Sequence, residues 1–269
     1  MLSLVAKNEK LHSVAVEWDT AAELYEQGRP DYPLELLEHL KTLCEFGETT
    51  SIVDLAAGTG KLSRLLVNTG CAVTAVEPSR EMRAALSREL PTVTVKGGSA
   101  EAIPLDDNSV DVVAVGEAFH WFDSPRAWQE LVRIVRPGGL VVAAWLHRNV
   151  TDWQQQLLAY LRPYAQAVPN ADVDDVDGNR SLQGFPRNEF ASIQPWSIVY
   201  EQPYTMSRLR QMYESYSFIS LLKTHERNKV LDGIEELVRR EVGVEQDEIF
   251  SFPLQLATWS TVRLKGRLA

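Results

Sequence analysis

SIVDLAAGTGKLSRLL, residues 51–66, is the stretch that decides the fold of this chain. Its first apolar run, which contains Asp54, is typical of a buried strand. The small residues that follow, from Ala56 to Gly60, let the chain turn tightly and let a ligand approach the backbone closely. Leucines at helical spacing then start a helix whose first amide groups point towards that ligand. The stretch therefore predicts the strand, turn and helix with which nucleotide-binding α/β domains commonly begin.

The residues that follow repeat this alternation of strands and helices. We expect four more strands, at 72–76, 92–95, 110–115 and 140–145, and two helices, at 81–90 and 125–135. The strand at 110–115 is nearly all apolar, which is typical of a sheet covered on both faces. Repeated strand–helix–strand units predict a parallel, doubly wound sheet.

Beyond residue 150 the pattern changes. We expect helices at 153–168, 209–222 and 230–242, an exposed loop at 172–188, and strands at 193–204 and 250–264. The two late strands are separated by helical insertions.

Composition limits the class of protein. The chain has 269 residues and a net charge of −10, from 27 basic and 37 acidic side chains. This balance disfavours nucleic acid as a partner, because that contact needs clustered lysine and arginine. Two cysteines and five scattered histidines predict neither a disulfide framework nor a metal site. No apolar run is long enough to span a bilayer and no signal-peptide pattern is present, so we expect a cytoplasmic monomer or homodimer without membrane contact.

Candidate site residues follow the strands, because ligands of doubly wound sheets bind beyond the strands' carboxyl ends. Gly58 and Gly60 follow the first strand, and Glu77 ends the second, directly before Pro78. A carboxylate there can accept hydrogen bonds from both hydroxyls of a ribose. Glu77 can also be an exposed helix-cap acid, and a two-glycine turn can serve only to turn the chain. The two features together favour the ribose interpretation.

Several motifs, in order along the chain, resemble class I S-adenosylmethionine-dependent methyltransferases. Asp54, Gly58 and Gly60 match the family pattern D-x-G-x-G-x-G, and Ala56 replaces its first glycine. The dinucleotide fingerprint G-x-G-x-x-G is not met, because Ser63 holds its sixth place. The runs SAEAIPLDDNSVDVV, GEAFHWFD and RIVRPGGLVVAAW, at 99–113, 116–123 and 133–145, match later family motifs.

The resemblance implies S-adenosylmethionine as the cofactor. By resemblance, the Ala100 amide and the Glu101 side chain meet the adenine edge. The full set of implied cofactor-binding residues is Asp54, Ala56, Gly58, Gly60, Glu77, Pro78, Ser99, Ala100, Glu101, Gly116 and Glu117.

The N-terminal run W-D-x-x-A-x-x-Y-x-x-x-R-P-x-Y-P, residues 18–33, resembles the small-molecule branch that includes methyltransferase type 11 and trans-aconitate-type enzymes. In that branch the arm covers the cofactor, which implies that Tyr25 and Arg29 face the pocket as catalytic residues. The alternative is that the proline and tyrosine residues only pin the arm to a domain.

Methyl transfer requires the enzyme to align the acceptor atom with the methyl carbon and to exclude water. An acceptor of high pKa also needs a general base, and His120, after the fourth strand, is the candidate. The alternative, which we favour, is that His120 and Trp121 are walls of the pocket. Trp121 and Arg148 are the candidate substrate contacts.

The expected acceptor is a small anionic molecule methylated on oxygen. Arg29 lies in the implied lid, and His147-Arg148 follow the fifth strand, so both can approach the ligand end of the sheet. A guanidinium there can hold a carboxylate with two hydrogen bonds. Arg29 and Arg148 can equally be surface charges, the commoner position of arginine.

The resemblance implies an α/β fold with a mostly parallel seven-stranded sheet and an antiparallel last strand. Residues 1–44 would form the arm and lid helices, 45–150 the cofactor-binding core, and 151–269 the insertions around the acceptor and the closing strands. We predict a methyltransferase, EC 2.1.1.-. Two alternatives share its motifs: a nicotinamide-dependent oxidoreductase, disfavoured by the missing third glycine, and a non-catalytic cofactor-binding protein of the same fold.

Overall fold

The computed structural model describes residues 22–148, 150–166, 183–246 and 248–265. The predicted N-terminal arm up to residue 21 and most of the predicted loop at 172–188 lie outside the described residues.

A seven-stranded mixed sheet organises the chain. Its order is β3-β2-β1-β4-β5-β7-β6, parallel from β3 through β5 and antiparallel between β5 and β7. This confirms the predicted mostly parallel sheet with an antiparallel last strand. The strands are β1 (Ser51–Leu55), β2 (Ala72–Glu77), β3 (Thr94–Gly97), β4 (Val110–Gly116), β5 (Val135–His147), β6 (Gln194–Tyr204) and β7 (Phe250–Val262).

The register of β1 fixes where a ligand can bind. Leu55, at its carboxyl end, pairs with Val76 of β2, and Asp54 pairs with Ala114 of β4. The chain moves outward from β1 in one direction through β2 and β3, and in the other through β4 and β5. The order therefore reverses at β1 and β4, and ligands of doubly wound sheets bind beyond the carboxyl ends of the strands at such a point.

Nine helices accompany the sheet in the described residues. They are α1 (Ala22–Gly28), α2 (Leu34–Leu43), α3 (Lys61–Leu66), α4 (Arg80–Glu89), α5 (Ser124–Ile134), α6 (Asp152–Ala165), α7 (Met206–Glu214), α8 (Ser217–Ser220) and α9 (Thr224–Val242). Short 3₁₀ turns lie at Val67–Thr69 and Phe119–Trp121.

Strand β1 contributes to a separate core on each face. On one face, Leu36 and Leu40 of α2 pack with Ile52. On the other face, Trp128 of α5 packs with Val53. All five side chains are at most 2% exposed. Burial of one aliphatic side chain contributes roughly 1.5–3 kcal/mol, so the alternating pattern of β1 fixes both layers of helices.

The chain divides into two compact units. The helical unit comprises the described parts of Met1–Pro30, Arg148–Asp174 and Glu201–Leu254. Within it, α1 packs on α7, and the Tyr204 hydroxyl donates to the Gly28 carbonyl at 3.0 Å. The sheet unit comprises the described parts of Asp31–His147, Asp175–Tyr200 and Gln255–Ala269, with strands β1 to β5.

Strand β5 begins earlier than predicted. The preceding helix ends at Ile134, and the strand runs from Val135 through the Pro-Gly-Gly sequence. Val135 pairs with Val110 of β4, and the Gly138 amide donates to the Arg263 carbonyl at 2.8 Å. The predicted start of the strand at residue 140 is wrong, because the backbone of residues 135–139 also pairs with its neighbours.

The single helix predicted at 209–222 is also wrong, because the structure has two helices there, α7 and α8. The Ser215 hydroxyl donates to the Met212 carbonyl at 2.6 Å, a local bond that competes with helix continuation. Tyr216 has an extended backbone, with φ −76° and ψ 135°. The Ser215–Tyr216 break therefore lies between α7 and α8.

Candidate functional site

The glycine turn after β1 has three residues in the left-handed backbone region. Ala56, Gly58 and Gly60 have φ values of 59°, 57° and 93°. A side chain strains this conformation, so Ala56 stands where glycine would be more favourable. The Ala56 amide donates to the Val76 carbonyl at 2.8 Å, which ties the turn to the end of β2.

The two glycines of the turn have different surroundings. A Cβ atom added to Gly60 would lie 2.8 Å from Leu86 Cγ, so the close packing of α4 requires glycine there. A Cβ added to Gly58 would meet no atom within 4 Å. Gly58 therefore presents its backbone to open space among the described residues.

Glu77 is buried at the end of β2, with 7% of its surface exposed. Its carboxylate accepts hydrogen bonds from the Gly58 amide and the Ser79 amide, both at 2.9 Å. The Ser79 side chain caps α4 by accepting from the Met82 amide at 3.2 Å. The interpretation of Glu77 as an exposed helix-cap acid is therefore wrong. The carbonyl of Pro78, the residue between, accepts from Arg83 at 2.7 Å.

Asp54 lies inside β1, only 1% exposed. One of its oxygens accepts from the Ser63 hydroxyl of α3 at 2.6 Å, and the other has no hydrogen-bond partner among the described residues. Burial, opposed by the hydrogen bonds of Ser63 and reinforced by the charge of Glu77, raises the pKa of Asp54 to about 7. Asp54 therefore anchors α3 to the strand that precedes the turn.

The end of β4 carries a second left-handed residue. Glu117 has φ 55°, its amide donates to the Ala144 carbonyl at 2.9 Å, and its carboxylate accepts from the Leu146 amide of β5. Next to it, the Tyr32 ring lies over Gly116, where its hydroxyl leaves no room for a Cβ atom. The carboxyl ends of β4 and β5 are thereby held together.

Asp31 and Tyr32 were missed as site residues by the sequence analysis. Asp31 forms an ion pair at 2.9 Å with Lys61, the first residue of α3. Tyr200 donates to the Asp31 carbonyl at 3.0 Å. The Pro-rich bend thus contacts both the start of α3 and the end of β4. The stiff RPDYP bend, which contains both residues, is the sequence signal for this contact.

The segment before β4 is held by the start of α5. Ser99 forms an isolated bridge with Ala102, and Ala100 is buried at 3% exposure. A Glu101 oxygen accepts from the Asp123 amide at 2.9 Å. One oxygen of Glu101 is therefore already used within the protein.

His120 and Trp121 lie in the 3₁₀ turn after β4. Phe119 anchors this turn, fully buried against Trp128 and Trp259 at ring distances of 5.4 and 5.1 Å. The His120 and Trp121 rings are partly exposed, 5.0 Å apart and inclined by 43°. Whether His120 is a base or a wall stays a prediction.

In the helical unit, the structure brings Arg29 and Arg148 to one ring, that of Tyr216, which the sequence analysis missed, and it places Tyr25 next to Arg29. The guanidinium carbon of Arg29 lies 3.8 Å from the centre of the Tyr216 ring and 5.0 Å from that of Tyr25. The guanidinium carbon of Arg148 lies 5.1 Å from the Tyr216 ring. The Arg29 Nε donates to the Ser215 hydroxyl at 2.9 Å.

Comparison with known proteins identifies the family. A family model described as a methyltransferase domain matches residues 53–143. An uncharacterized methyltransferase of Mycobacterium tuberculosis is 34% identical over 225 residues, covering 84% of this chain and 86% of that protein. The chain belongs to the class I S-adenosylmethionine-dependent methyltransferase family.

Solved structures of methyltransferases share the fold. A type II methyltransferase candidate from Anaeromyxobacter dehalogenans aligns with TM-score 0.63 and 25% identity, covering 87% of this chain and 96% of that one. Phosphoethanolamine N-methyltransferase 2 of Haemonchus contortus, in complex with S-adenosyl-L-methionine, aligns with TM-score 0.52 and 14% identity, covering 92% of this chain and 57% of that one.

The matched methyltransferase domain runs from β1 into β5 and contains the glycine turn and Glu77. Tyr25, Arg29 and Arg148 lie outside it. The part of the methyltransferase that the structure describes contains no group of three His, Cys, Asp or Glu residues able to hold a metal ion. None of its described helices combines the length and the apolar character that crossing a membrane requires.

Proposed function

We propose that this chain binds S-adenosylmethionine in the sheet unit and transfers its methyl group to a small molecule. The observation that carries the proposal is Glu77, whose carboxylate is buried at the end of β2 and joined to the Gly58 amide. A carboxylate at the end of the second strand can accept hydrogen bonds from both hydroxyls of a ribose.

The residues of the turn fit such a cofactor. The open space before Gly58 leaves its backbone accessible to a ligand, and the left-handed turn brings Gly58 and Glu77 to one place. The Ser99–Glu101 segment and the end of β4 supply the remaining predicted contacts. When bound, S-adenosylmethionine supplies an electrophilic methyl carbon attached to a good leaving group.

The finer part of the proposal is that the acceptor is a small carboxylate, methylated on oxygen. Carboxylic acids have pKa values near 4, so such an acceptor is already ionised at neutral pH and needs no general base. His120 then acts as a wall that excludes water beside Trp121. The clustering of Arg29 and Arg148 around Tyr216 supports an anionic acceptor, and we assign Tyr25 and Arg29 to the lid.

Cofactor binding is tested by calorimetric titration with S-adenosylmethionine and, separately, with NADH. We expect Glu77→Ala to weaken S-adenosylmethionine binding by about 10- to 150-fold, since a hydrogen bond to a charged group contributes about 1.5–3 kcal/mol. Glu81→Ala, which removes an exposed carboxylate from α4, is the matched control and should bind normally. Equal affinity in wild type and a folded Glu77→Ala protein would refute the assignment, and preferential NADH binding would favour an oxidoreductase.

The acceptor class is tested by a transfer assay with labelled cofactor on a panel of carboxylic acids, phenols, amines and transfer RNA. We expect transfer to a carboxylic acid, with unchanged kcat in His120→Gln because no proton has to be removed. Transfer only to amines or RNA would overturn the finer proposal and leave the cofactor assignment standing.

A further inference from the structure

Arg29 differs from other arginines of the helical unit in what it contacts. Arg210, Arg227, Arg239 and Arg240 each form an ion pair with a carboxylate of the same unit. No carboxylate among residues 22–148, 150–166, 183–246 and 248–265 forms an ion pair with Arg29. Within the described residues its guanidinium contacts one hydroxyl and two aromatic rings. A half-buried guanidinium that has no carboxylate partner in the described part of the chain is suited to binding an anionic ligand.

The guanidinium of Arg29 is fixed in position by two contacts. Its Nε donates to the Ser215 hydroxyl, and its central carbon lies 3.8 Å from the centre of the Tyr216 ring. Ser215 is itself buried and donates to the Met212 carbonyl, so its hydroxyl can only accept from Arg29. A guanidinium has five N–H donors. With the Nε donor used, the two terminal nitrogens keep four donors, to which the described residues add no hydrogen bond.

Tyr216 contributes a second polar group to the same place. Its hydroxyl is buried and has no hydrogen-bond partner in the described part of the chain. Tyr213 and Phe218 pack against its ring at 5.6 and 5.4 Å, so the ring cannot turn freely to solvent. An orphaned hydroxyl of this kind is costly unless a ligand supplies its partner. The second guanidinium, that of Arg148, lies 5.1 Å from the same ring.

We propose that the Ser215–Tyr216 break builds an anion site whose ligand is a planar carboxylate. The two terminal nitrogens of Arg29 bind the two carboxylate oxygens side by side, the Tyr216 hydroxyl donates to one of them, and Arg148 adds charge. Ser215 is a positioning residue, because it acts by orienting Arg29. A fixed guanidinium edge matches the spacing of two carboxylate oxygens better than a flexible ammonium does. That this carboxylate belongs to the methyl acceptor rests on the proposed function.

Binding is measured on the full chain by calorimetry with acetate, succinate, benzoate and inorganic phosphate, each with and without S-adenosylhomocysteine. We expect at least one carboxylate to bind more tightly than phosphate. Arg29→Lys keeps the charge but loses the paired donors, and should weaken this carboxylate at least 10-fold. Tyr216→Phe should weaken it about 3- to 10-fold. Ser215→Ala should weaken it to a similar extent, and Ser215→Thr, which restores the hydroxyl, should recover binding.

Arg210→Lys is the matched control, because it changes an arginine of the same unit that is already paired with Asp232 and Glu235. It should bind the carboxylate as the wild type does, and circular dichroism should show all variants folded. Absence of carboxylate binding under both conditions, tighter binding of phosphate, or equal affinity in Arg29→Lys would overturn the proposal. If Glu77→Ala binds S-adenosylmethionine as the wild type does while Arg29→Lys still binds the carboxylate more weakly, the proposed cofactor assignment is refuted and the anion site stands.

Discussion

Two regions of this methyltransferase hold a charged group in place by different means. Glu77 is held by backbone amides of the glycine turn and of Ser79. Arg29 is held by side chains, those of Ser215 and Tyr216. The first arrangement depends on backbone conformation, and most side chains at the donor positions can change without removing the donors. The second depends on individual side chains, so a single substitution should remove one contact of Arg29 and leave the others in place.

The largest expected effect concerns Asp54, a second buried carboxyl of the first region. Asp54 is buried, and its pKa is raised to about 7 from an ordinary value near 3.8. The folded protein therefore binds the carboxyl proton of Asp54 more tightly than the unfolded chain does. This tighter binding stabilises the fold at low pH, and the stabilisation is lost as the pH rises from about 4 through 7. Over this range Asp54 lowers the free energy of unfolding by up to about 1.4 kcal/mol per pH unit.

Asp54→Asn should remove this dependence. Urea denaturation between pH 5 and 8 measures the free energy of unfolding of both proteins. We expect the variant to become progressively more stable relative to the wild type as pH rises, with a plateau above about pH 7. Parallel pH profiles of the two proteins would show that Asp54 titrates normally.

The next largest effect separates the two glycines of the turn. Gly60→Ala should lower the free energy of unfolding by about 2–4 kcal/mol, because left-handed strain adds to a close contact with Leu86. Gly58→Ala carries the strain of about 1–2 kcal/mol without the contact. Urea denaturation measures the free energy of unfolding of both variants. In a titration with S-adenosylmethionine, Gly58→Ala should lose more affinity than Gly60→Ala relative to the stability that each variant loses. Equal destabilisation would contradict the difference in packing.

A smaller effect compares two arginines of the helical unit. Arg210→Met should destabilise the fold by about 1–3 kcal/mol, because Glu235, 8% exposed, then keeps only Arg239 as its partner. Arg29→Met should cost about 0.5–1 kcal/mol, the value of a cation–π contact. Thermal and urea denaturation of the two variants measure the difference. The reverse order would indicate that Arg29 is a structural residue.

The smallest effect is an increase in stability. Ala56→Gly relieves left-handed strain of about 1–2 kcal/mol but adds chain entropy to the unfolded state, at about 0.5–1 kcal/mol. We expect a net gain below about 1 kcal/mol with unchanged cofactor affinity. A loss of stability would mean that packing of the Ala56 methyl group stabilises the fold by more than the left-handed strain costs.

The sequence predicted the sheet and its ligand end because these depend on local patterns. Apolar alternation, glycines and Glu77 all lie within a few residues of the elements they specify. The Arg29 site joins residues 186 positions apart, Arg29 and Ser215, and no local pattern encodes that distance. The break at Ser215 was also hidden, because leucines and other apolar residues continue at helical spacing across it. The hydrogen bond from the Ser215 hydroxyl to the Met212 carbonyl, which accompanies the break, is not visible in the apolar pattern.

The order of the sheet has a consequence for synthesis of the chain. Strand β7 is the last of the seven in sequence, yet it lies in the interior, between β5 and β6. As the nascent chain leaves the ribosome, β6 emerges before the strand beside which it lies, and β5 waits with an open edge until residues 250–262 are made. An unpaired strand edge invites pairing with another chain. Translation that stops just before β7 therefore leaves a product with two unsatisfied strands, which chaperones and proteases would recognise.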